Sequence, residues 1–409
     1  MSLFSGLTAG REFRVTTGHP ELVTAIASEI AISGPIPFVR FMELALYHPQ
    51  FGYYTRSPET GTERIGWTGD FYTSSDVHPT LGHALARQAT QIDRLLGQPD
   101  PFTVVEMGPG KGLLAAHFLS ACRTESHSLF ERLHYILIDR SPAMRESQRR
   151  HLSQWLSRPG LVSRVDDLDD LAPGNITGMF LSNELLDAFP THRIQVTGGR
   201  VEELWVDRQD GQFVECLKPP STAALAQRAH SLAAHWPDGY RTEINLNALD
   251  WIRQVARILR RGVVLTIDYG HTAEDLYRSD RKNGTFLCYF KQSAHEDPFT
   301  HVGEQDMTAH VDFSSLATAG EEHGLQVTGF TNQMSFLMGL GVEQLIASLE
   351  PESPEFRAAI HLLKPTGMGG TFKVLVQHKG IEQPQLDGLK FKPFFVEALA
   401  RVESHVCKS

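Results

Sequence analysis

The chain has 409 residues, 41% of them apolar and 21% charged, enough to bury at least one sizeable core and carry further elements around it. Its 48 acidic against 38 basic residues give a net charge of -10 with no block of Lys and Arg. This argues against nucleic acid as the main partner and leaves a small molecule or another protein. The four cysteines, Cys122, Cys216, Cys288 and Cys407, are scattered without C-x-x-C spacing, which argues against a disulfide framework and a structural zinc site and fits a reducing compartment.

Along the chain, residues 21–30 place Leu22, Val23, Ile26, Ala27 and Ile30 in a helical stripe that stops near Gly34-Pro35, and 38–47 form a second helix. Residues 48–73 are polar and aromatic with repeated glycines, an ordered loop rather than a linker. Helical signals resume over 78–96. An apolar run at 102–106 then gives way to three alternating glycines, Gly108, Gly110 and Gly112, and a helix from Leu113: strand, glycine loop, helix. Strands at 133–138, 161–165 and 179–181, with a helix over 142–156, continue the alternation, so the fold class is α/β with a doubly wound parallel sheet. The order is interrupted at 192–217 by an antiparallel meander. Helices at 222–234 and 247–259 follow, the second capped by Asn245 or Asn247. A fifth core strand runs over 262–269, a glycine- and histidine-rich insertion over 270–309, a helix over 314–323, and closing strands over 325–330 and 371–378.

No apolar run reaches membrane-spanning length and the N-terminus lacks a secretory pattern, so no membrane insertion is expected. The cytoplasm is the default location. Residues 1–17 are too short and mixed to read as a mitochondrial presequence, and the mitochondrial matrix remains the alternative for a eukaryotic source.

In an open α/β sheet the ligand sits outside the carboxyl ends of the strands. Acidic or amide residues fall at those ends here: Glu106, Asp139, Asp166 or Asp167, and Asn183-Glu184. The glycine spacing is G-x-G-x-G, one residue tighter than a dinucleotide loop, and after an acidic strand end this is the pattern of class I methyltransferases that bind S-adenosylmethionine. The backbone of Gly108, Gly110 and Gly112, with Glu106 beside it, would lie against the methionine part and ribose. Asp139 would accept the two ribose hydroxyls, Asp166 (or Asp167) the adenine amino group, and Asn183 would bind the donor or cap a helix. A solvated acidic loop is an equal reading for Asp166.

The motifs A-L-Y-H-P-Q-F-G-Y-Y (45–54), G-D-F-Y-T-S (69–74), E-M-G-P-G-K-G (106–112), S-N-E-L-L-D-A-F-P (182–190) and G-E-Q-D-M-T-A-H-V-D-F (303–313) lie in order across most of the chain. Together they make it resemble the MidA-like family, methyltransferases related to the protein arginine methyltransferase that assists mitochondrial respiratory complex I assembly. The resemblance implies a Rossmann-like class I methyltransferase with an antiparallel closing strand, an N-terminal helical extension, and insertions after strands 4 and 5. It implies S-adenosyl-L-methionine as methyl donor and, in the mitochondrial branch, arginine of a complex I subunit as acceptor. On that basis residues 1–100 are an extension covering the site, 101–380 the core with insertions at about 190–245 and 270–313, and 381–409 a tail. A protein substrate is expected, and a homodimer is an alternative to a monomer.

Methylating arginine requires a protonated guanidinium to be held in line with the donor methyl group, a task for carboxylates that pair with its planar fork. Glu184 with Asp187 is the expected clamp, with Glu304 and Asp306 as further candidates. His310 is a candidate proton acceptor, and Asp70, Phe71 and Tyr72 would close over the donor or line the arginine channel. Each has a plainer alternative: a buried structural acid for Asp187, a structural histidine for His310, and an aromatic loop packed on the core for 70–72. On the same fold transfer to a small molecule or to another side chain, or an assembly chaperone that only binds donor, are competing functions.

Overall fold

The computed structural model describes residues 16–56, 66, 69–70, 73–233, 236–392 and 399. Seven strands form the central sheet: β1 (Phe102–Met107), β2 (Leu133–Ile138), β3 (Val162–Val165), β4 (Ile176–Asn183), β5 (Leu259–His271), β6 (Gln326–Asn332) and β7 (Phe372–Lys379). Their order is β6-β7-β5-β4-β1-β2-β3, with a two-residue strand, Val311–Asp312, added beside β5. β3, β2, β1, β4 and β5 are parallel, and β7 runs antiparallel between β5 and β6. This is the doubly wound sheet with a reversed closing strand that the sequence predicts. The order turns back on itself between β1 and β4, where a ligand site is expected.

Alternation along each strand divides the core between the two sheet faces. Val104, Tyr135, Leu137, Met179, Leu181, Val263 and Leu265 face one side, against α3 (Thr80–Leu95) and α4 (Leu113–Glu125), through Leu81, Leu85, Phe118 and Leu119. Val105, Ile136, Ile138, Phe180 and Val264 face the other, against α6 (Leu246–Ile258) and α7 (Phe313–Glu321), through Trp251, Ile252, Val255 and Leu316. α5 (Pro142–His151) follows β2. Glycines set the sheet's close approach at one point: a Cβ on Gly178 would lie 2.1 Å from the Thr103 carbonyl, and one on Gly262 1.9 Å from that of Gly178.

The N-terminal helices α1 (Pro20–Ser33) and α2 (Phe38–Tyr47) match the sequence reading. The meander, however, is part of a larger sheet. His192–Thr197, Arg200–Gln209 and Gln212–Lys218 are joined by Arg241–Ile244 beside His192–Thr197 and by Ile36–Pro37, just ahead of α2, beside Trp205 and Val206 of the middle strand. The second insertion folds into a three-stranded sheet of Leu287–Phe290, Ser293–His295 and Asp306–Thr308. One apolar cluster runs through all three segments: Leu22, Ile26, Phe38, Phe41 and Met42 meet Val206 and Phe213 of the first insertion and Phe286, Phe299 and Met307 of the second. Phe38 meets Phe286 edge-on at 5.2 Å, and Phe41 meets Phe213 at 5.8 Å and Phe299 at 5.4 Å. These segments together form a cap over the carboxyl ends of β1, β4 and β5, tied to the core by Tyr47 Oη donating to Ala188 O and Ser141 Oγ donating to Tyr54 O.

Between β6 and β7 lie four helices not expected from the sequence, Gln333–Gly339, Val342–Ala347, Pro354–Leu363 and Met368–Thr371. They are short, and their apolar residues show no extended stripe. The segment after β7 packs back through Leu386. No described helix is long and apolar enough to cross a membrane.

Candidate active site

A cavity of about 1230 Å³ opens at the carboxyl ends of the strands, roofed by the cap. Its donor-side wall begins with the glycine loop. Gly108, Gly110 and Gly112 have φ of 71°, 49° and 82°, a left-handed path that side chains with a Cβ resist. Gly112 caps α4, and a Cβ on Gly110 would meet nothing within 4 Å, so the loop leaves open space on its cavity side. Lys111 is ion-paired with Asp76 of the short helix Ser74–Val77, whose N-terminus Thr73 and Asp76 close as a capping box.

Asp139, at the end of β2, is partly buried. Its Oδ1 accepts from Ser141 N at 2.8 Å and its Oδ2 from Gln148 Nε2 at 2.7 Å, and the same Gln148 nitrogen donates to Gly110 O at 2.8 Å. Gln148, on α5, therefore ties the glycine loop to the strand-end acid; the sequence reading passed it over because it shows only as one polar residue in an amphipathic helix. Burial raises the Asp139 carboxyl to about 6 against the hydrogen bonds that lower it. Glu106 is buried beside the loop and accepts from Tyr135 Oη at 2.8 Å, with burial raising its carboxyl to about 7. Asp166 lines the cavity but is largely exposed and paired with Arg145, while Asp167 caps the turn Leu168–Asp170 and pairs with Arg140.

Acids and tyrosines gather under the cap. Glu184, just past β4, has φ of 54°, rare for a residue with a side chain. Its Oε1 accepts from Ser74 N at 2.9 Å and from Asn183 Nδ2 at 3.0 Å. Asp187 Oδ2 accepts from Tyr269 Oη, while its Oδ1 is buried without a partner. Asp306 Oδ1 accepts from Tyr54 Oη at 2.7 Å and from Met307 N at 2.9 Å. Burial raises all three carboxyls, Glu184 to about 8, Asp306 to about 7 and Asp187 to about 6, and mutual repulsion adds to the first two. Tyr47, Tyr54, Tyr269 and Tyr289 line the same space. The tyrosines escaped the sequence reading as site residues because only the fold brings α2, the following loop, β5 and the second insertion together.

The other expected residues fall as follows. Asn183 lines the cavity with its Oδ1 buried and unpartnered. His310 lines it as well, its ring against Tyr269 at 5.4 Å and His271 at 5.1 Å; burial and the neighbouring His271 push it down to about 3, so it is neutral and a weak base. Asp70 is away from the cavity wall and holds the second insertion, accepting from Tyr53 Oη at 2.9 Å and Lys291 N at 2.6 Å. Glu304 sits in the turn before Asp306, near His301, and does not line the cavity. Phe71 and Tyr72 lie outside the described residues.

The donor-side residues fit a ligand such as S-adenosylmethionine. The loop leaves room at Gly110, Asp139 is fixed at the neighbouring strand end, Gln148 Oε1 and Asn183 Oδ1 are buried polar atoms without partners, and the nearby carboxylates suit a sulfonium and an ammonium group.

A family model described as "putative S-adenosyl-L-methionine-dependent methyltransferase" matches residues 84–331. A solved structure from Burkholderia thailandensis, described as a "likely methyl transferase" and bound to S-adenosyl-homocysteine, is 31% identical, covers 92% of this chain and 98% of its own, and superposes with a TM-score of 0.82. The mitochondrial protein arginine methyltransferase NDUFAF7 homolog of Drosophila melanogaster is 28% identical over 91% of this chain and 88% of its own. The mitochondrial protein arginine methyltransferase NDUFAF7 of Homo sapiens is 26% identical over 90% and 86%. The fold is that of a class I methyltransferase, as the sequence predicts, and S-adenosyl-L-methionine is its methyl donor.

Proposed function

Because the chain belongs to the family of S-adenosyl-L-methionine-dependent methyltransferases, we propose that the methyl group it transfers goes to an arginine of a protein substrate, a respiratory complex I subunit being the one the MidA-like resemblance implies. The observation that carries the acceptor is the set of carboxylates Glu184, Asp187 and Asp306 under the cap, the two aspartates buried and Glu184 partly so. Among the described residues none of them is ion-paired. The cations lining the cavity are engaged elsewhere: Lys111 with Asp76, Arg140 with Asp167, and Arg40 with Glu29 and Glu43. Buried acids without a counter-charge are costly, and a guanidinium entering among them would lower that cost while its planar fork is oriented. The names of the relatives point to the same acceptor.

In this reading the glycine loop at Gly108, Gly110 and Gly112 cradles the donor, Asp139 holds its ribose, and Glu106 and Asn183 border its amino-acid part. Asp166 takes the adenine edge only weakly, being turned to Arg145. The donor supplies an electrophilic methyl carbon on a positive sulfur, which keeps the electron pair of the broken bond. The protein's part is to hold one guanidinium nitrogen in line with it and to take the proton that nitrogen sheds. We assign that role to Asp306, which lines the cavity and whose carboxyl is raised to about 7. Residues 16–56 and the two insertions serve as the acceptor chamber, while α3 joins the rest of 101–380 as the donor-binding core.

The test incubates the protein with S-adenosylmethionine carrying a labelled methyl group and a lysate of cells lacking its gene, then digests the labelled proteins and locates the label. Methylarginine is the expected product; label on another side chain, or on small molecules alone, ends the arginine reading.

A further inference from the structure

The loop after β4 is held from every side. Asp268, fully buried near the end of β5, accepts through Oδ2 from three successive amides, Leu185 N at 3.1 Å, Leu186 N at 2.9 Å and Asp187 N at 3.4 Å, and through Oδ1 from Tyr269 N at 2.9 Å. The loop's carbonyls are bound as well: Leu186 O by Asn245 Nδ2, Pro190 O by Asn247 Nδ2, Ala188 O by Tyr47 Oη and Asp187 O by Ala309 N. The next residue on β5, Tyr269, donates its hydroxyl to Asp187 Oδ2. What all this leaves unbound is Asp187 Oδ1, buried and on the cavity wall. Glu184 differs in what its bound oxygen does: Oε1 accepts from the Ser74 amide and from Asn183, so it joins β4 to the helix Ser74–Val77.

We propose that Asp268 and Tyr269 are positioning residues that present Asp187 Oδ1 to the methyl acceptor, so that Asp187 rather than Glu184 is the carboxylate that orients it. The proposal rests on the guanidinium reading of the acceptor. Asp268 fixes the backbone of residue 187 and Tyr269 fixes its carboxylate, so neither has to be ordered when the acceptor arrives. A single free oxygen held this way takes one guanidinium N–H in a charge-assisted hydrogen bond. Glu184 keeps the role of joining β4 to the helix Ser74–Val77, whose Asp76 pairs with Lys111 of the glycine loop.

The groups facing Asp187 are Glu184 from its own loop, Asp268 from β5, Asp306 from the second insertion, and the hydroxyls of Tyr47, Tyr54, Tyr269 and Tyr289, with Asp139 beyond them and neutral His310 packed on Tyr269. The Tyr269 bond favours the ionised carboxylate. Removing it raises the Asp187 carboxyl, and a higher pH is then needed to ionise it.

The experiment measures initial rates of methyl label incorporation into arginine of the same lysate proteins from pH 5 to 9, for the full chain and its Y269F, D187N, E184Q and D268N variants, with S-adenosylhomocysteine affinity measured calorimetrically alongside. Because Asp306, at about 7, also sets the acid limb, Y269F should move its midpoint upward by only about 0.3 pH unit but lower the rate about tenfold at pH 5, with donor-product affinity within about twofold of the parent chain. D187N should lose about 100-fold in rate and E184Q much less. Should D268N not fold, Y269F alone decides: an acid limb superimposable on the parent's overturns the proposal, as does E184Q falling further than D187N. Failure of the arginine reading shows separately, as label on another residue in the parent chain.

Discussion

Replacing Glu184 by Gln should make the free protein more stable, and increasingly so as pH rises. The carboxyl is buried and raised from 4.5 to about 8, so the folded state either holds a proton on it or bears a buried charge. For an acid whose folded pKa lies above its unfolded one, the folded state binds more protons between the two values. Stability is therefore lost as pH climbs from 4.5 to about 8 and stays low above that. The interval corresponds to a ceiling of about 5 kcal/mol above pH 8 and about 2 kcal/mol at pH 6, at 1.36 kcal/mol per unit. Gln has no proton to exchange, and its amide oxygen still accepts from Ser74 N, so the contact to the helix Ser74–Val77 persists. For a chain of this length one kcal/mol moves the unfolding midpoint by about 1 °C, so the variant should gain at most about 2 °C at pH 6 and about 5 °C at pH 9. Thermal unfolding followed by circular dichroism, without ligand, measures both. A variant less stable than the parent, or a difference that does not grow from pH 6 to pH 9, refutes the argument that Glu184 is a buried acid held at a cost.

Gly110→Ala should fold normally, since its Cβ meets no protein atom, yet weaken S-adenosylhomocysteine by about tenfold or more in calorimetry, because the methyl group enters donor space and L-residues resist a φ of 49°. Asp139→Asn and Asp166→Ala should separate cleanly in the same titration. The first should cost about 10- to 100-fold, through lost charge-assisted hydrogen bonds and a Gln148 contact turned unfavourable. The second should change affinity less than about threefold, because Asp166 is exposed and occupied by Arg145. An Asp166 effect as large as that of Asp139 would return it to the adenine site.

The donor half of the molecule was legible because its signals are local. Three glycines two residues apart permit the positive φ values found at 108, 110 and 112, and an acid at each strand end is placed by the strand itself. The acceptor half was legible only as a set of motifs. Asp268 closes the strand V-V-L-T-I-D-Y and reads as one more strand-end acid; its bonds to residues 185–187 exist because β5 pairs in register with β4, Ile267 opposite Asn183. Glu304 and Asp306 look equivalent two residues apart, but a turn holds the first away from the cavity and a strand points the second into it. Asp70 carries its motif's charge yet spends it on the backbone of the second insertion. The five-stranded sheet was half seen, since the edge strand Ile36–Pro37 has only two residues and no alternation to betray it.

The cluster that joins α1 and α2 to both insertions also imposes a sequence of events on synthesis. Phe38 and Phe41 leave the ribosome early, but their partners Phe213, Phe286 and Phe299 are made only after β1 through β4, and the last two only after β5. Until then the two N-terminal helices hold an apolar face with nothing of their own chain to cover it, a surface suited to chaperones or to aggregation. The glycine loop and its strand can meanwhile form from neighbouring segments. The order of synthesis therefore supplies the segments of the donor cradle before those of the acceptor chamber, which can be completed only once the second insertion has been made.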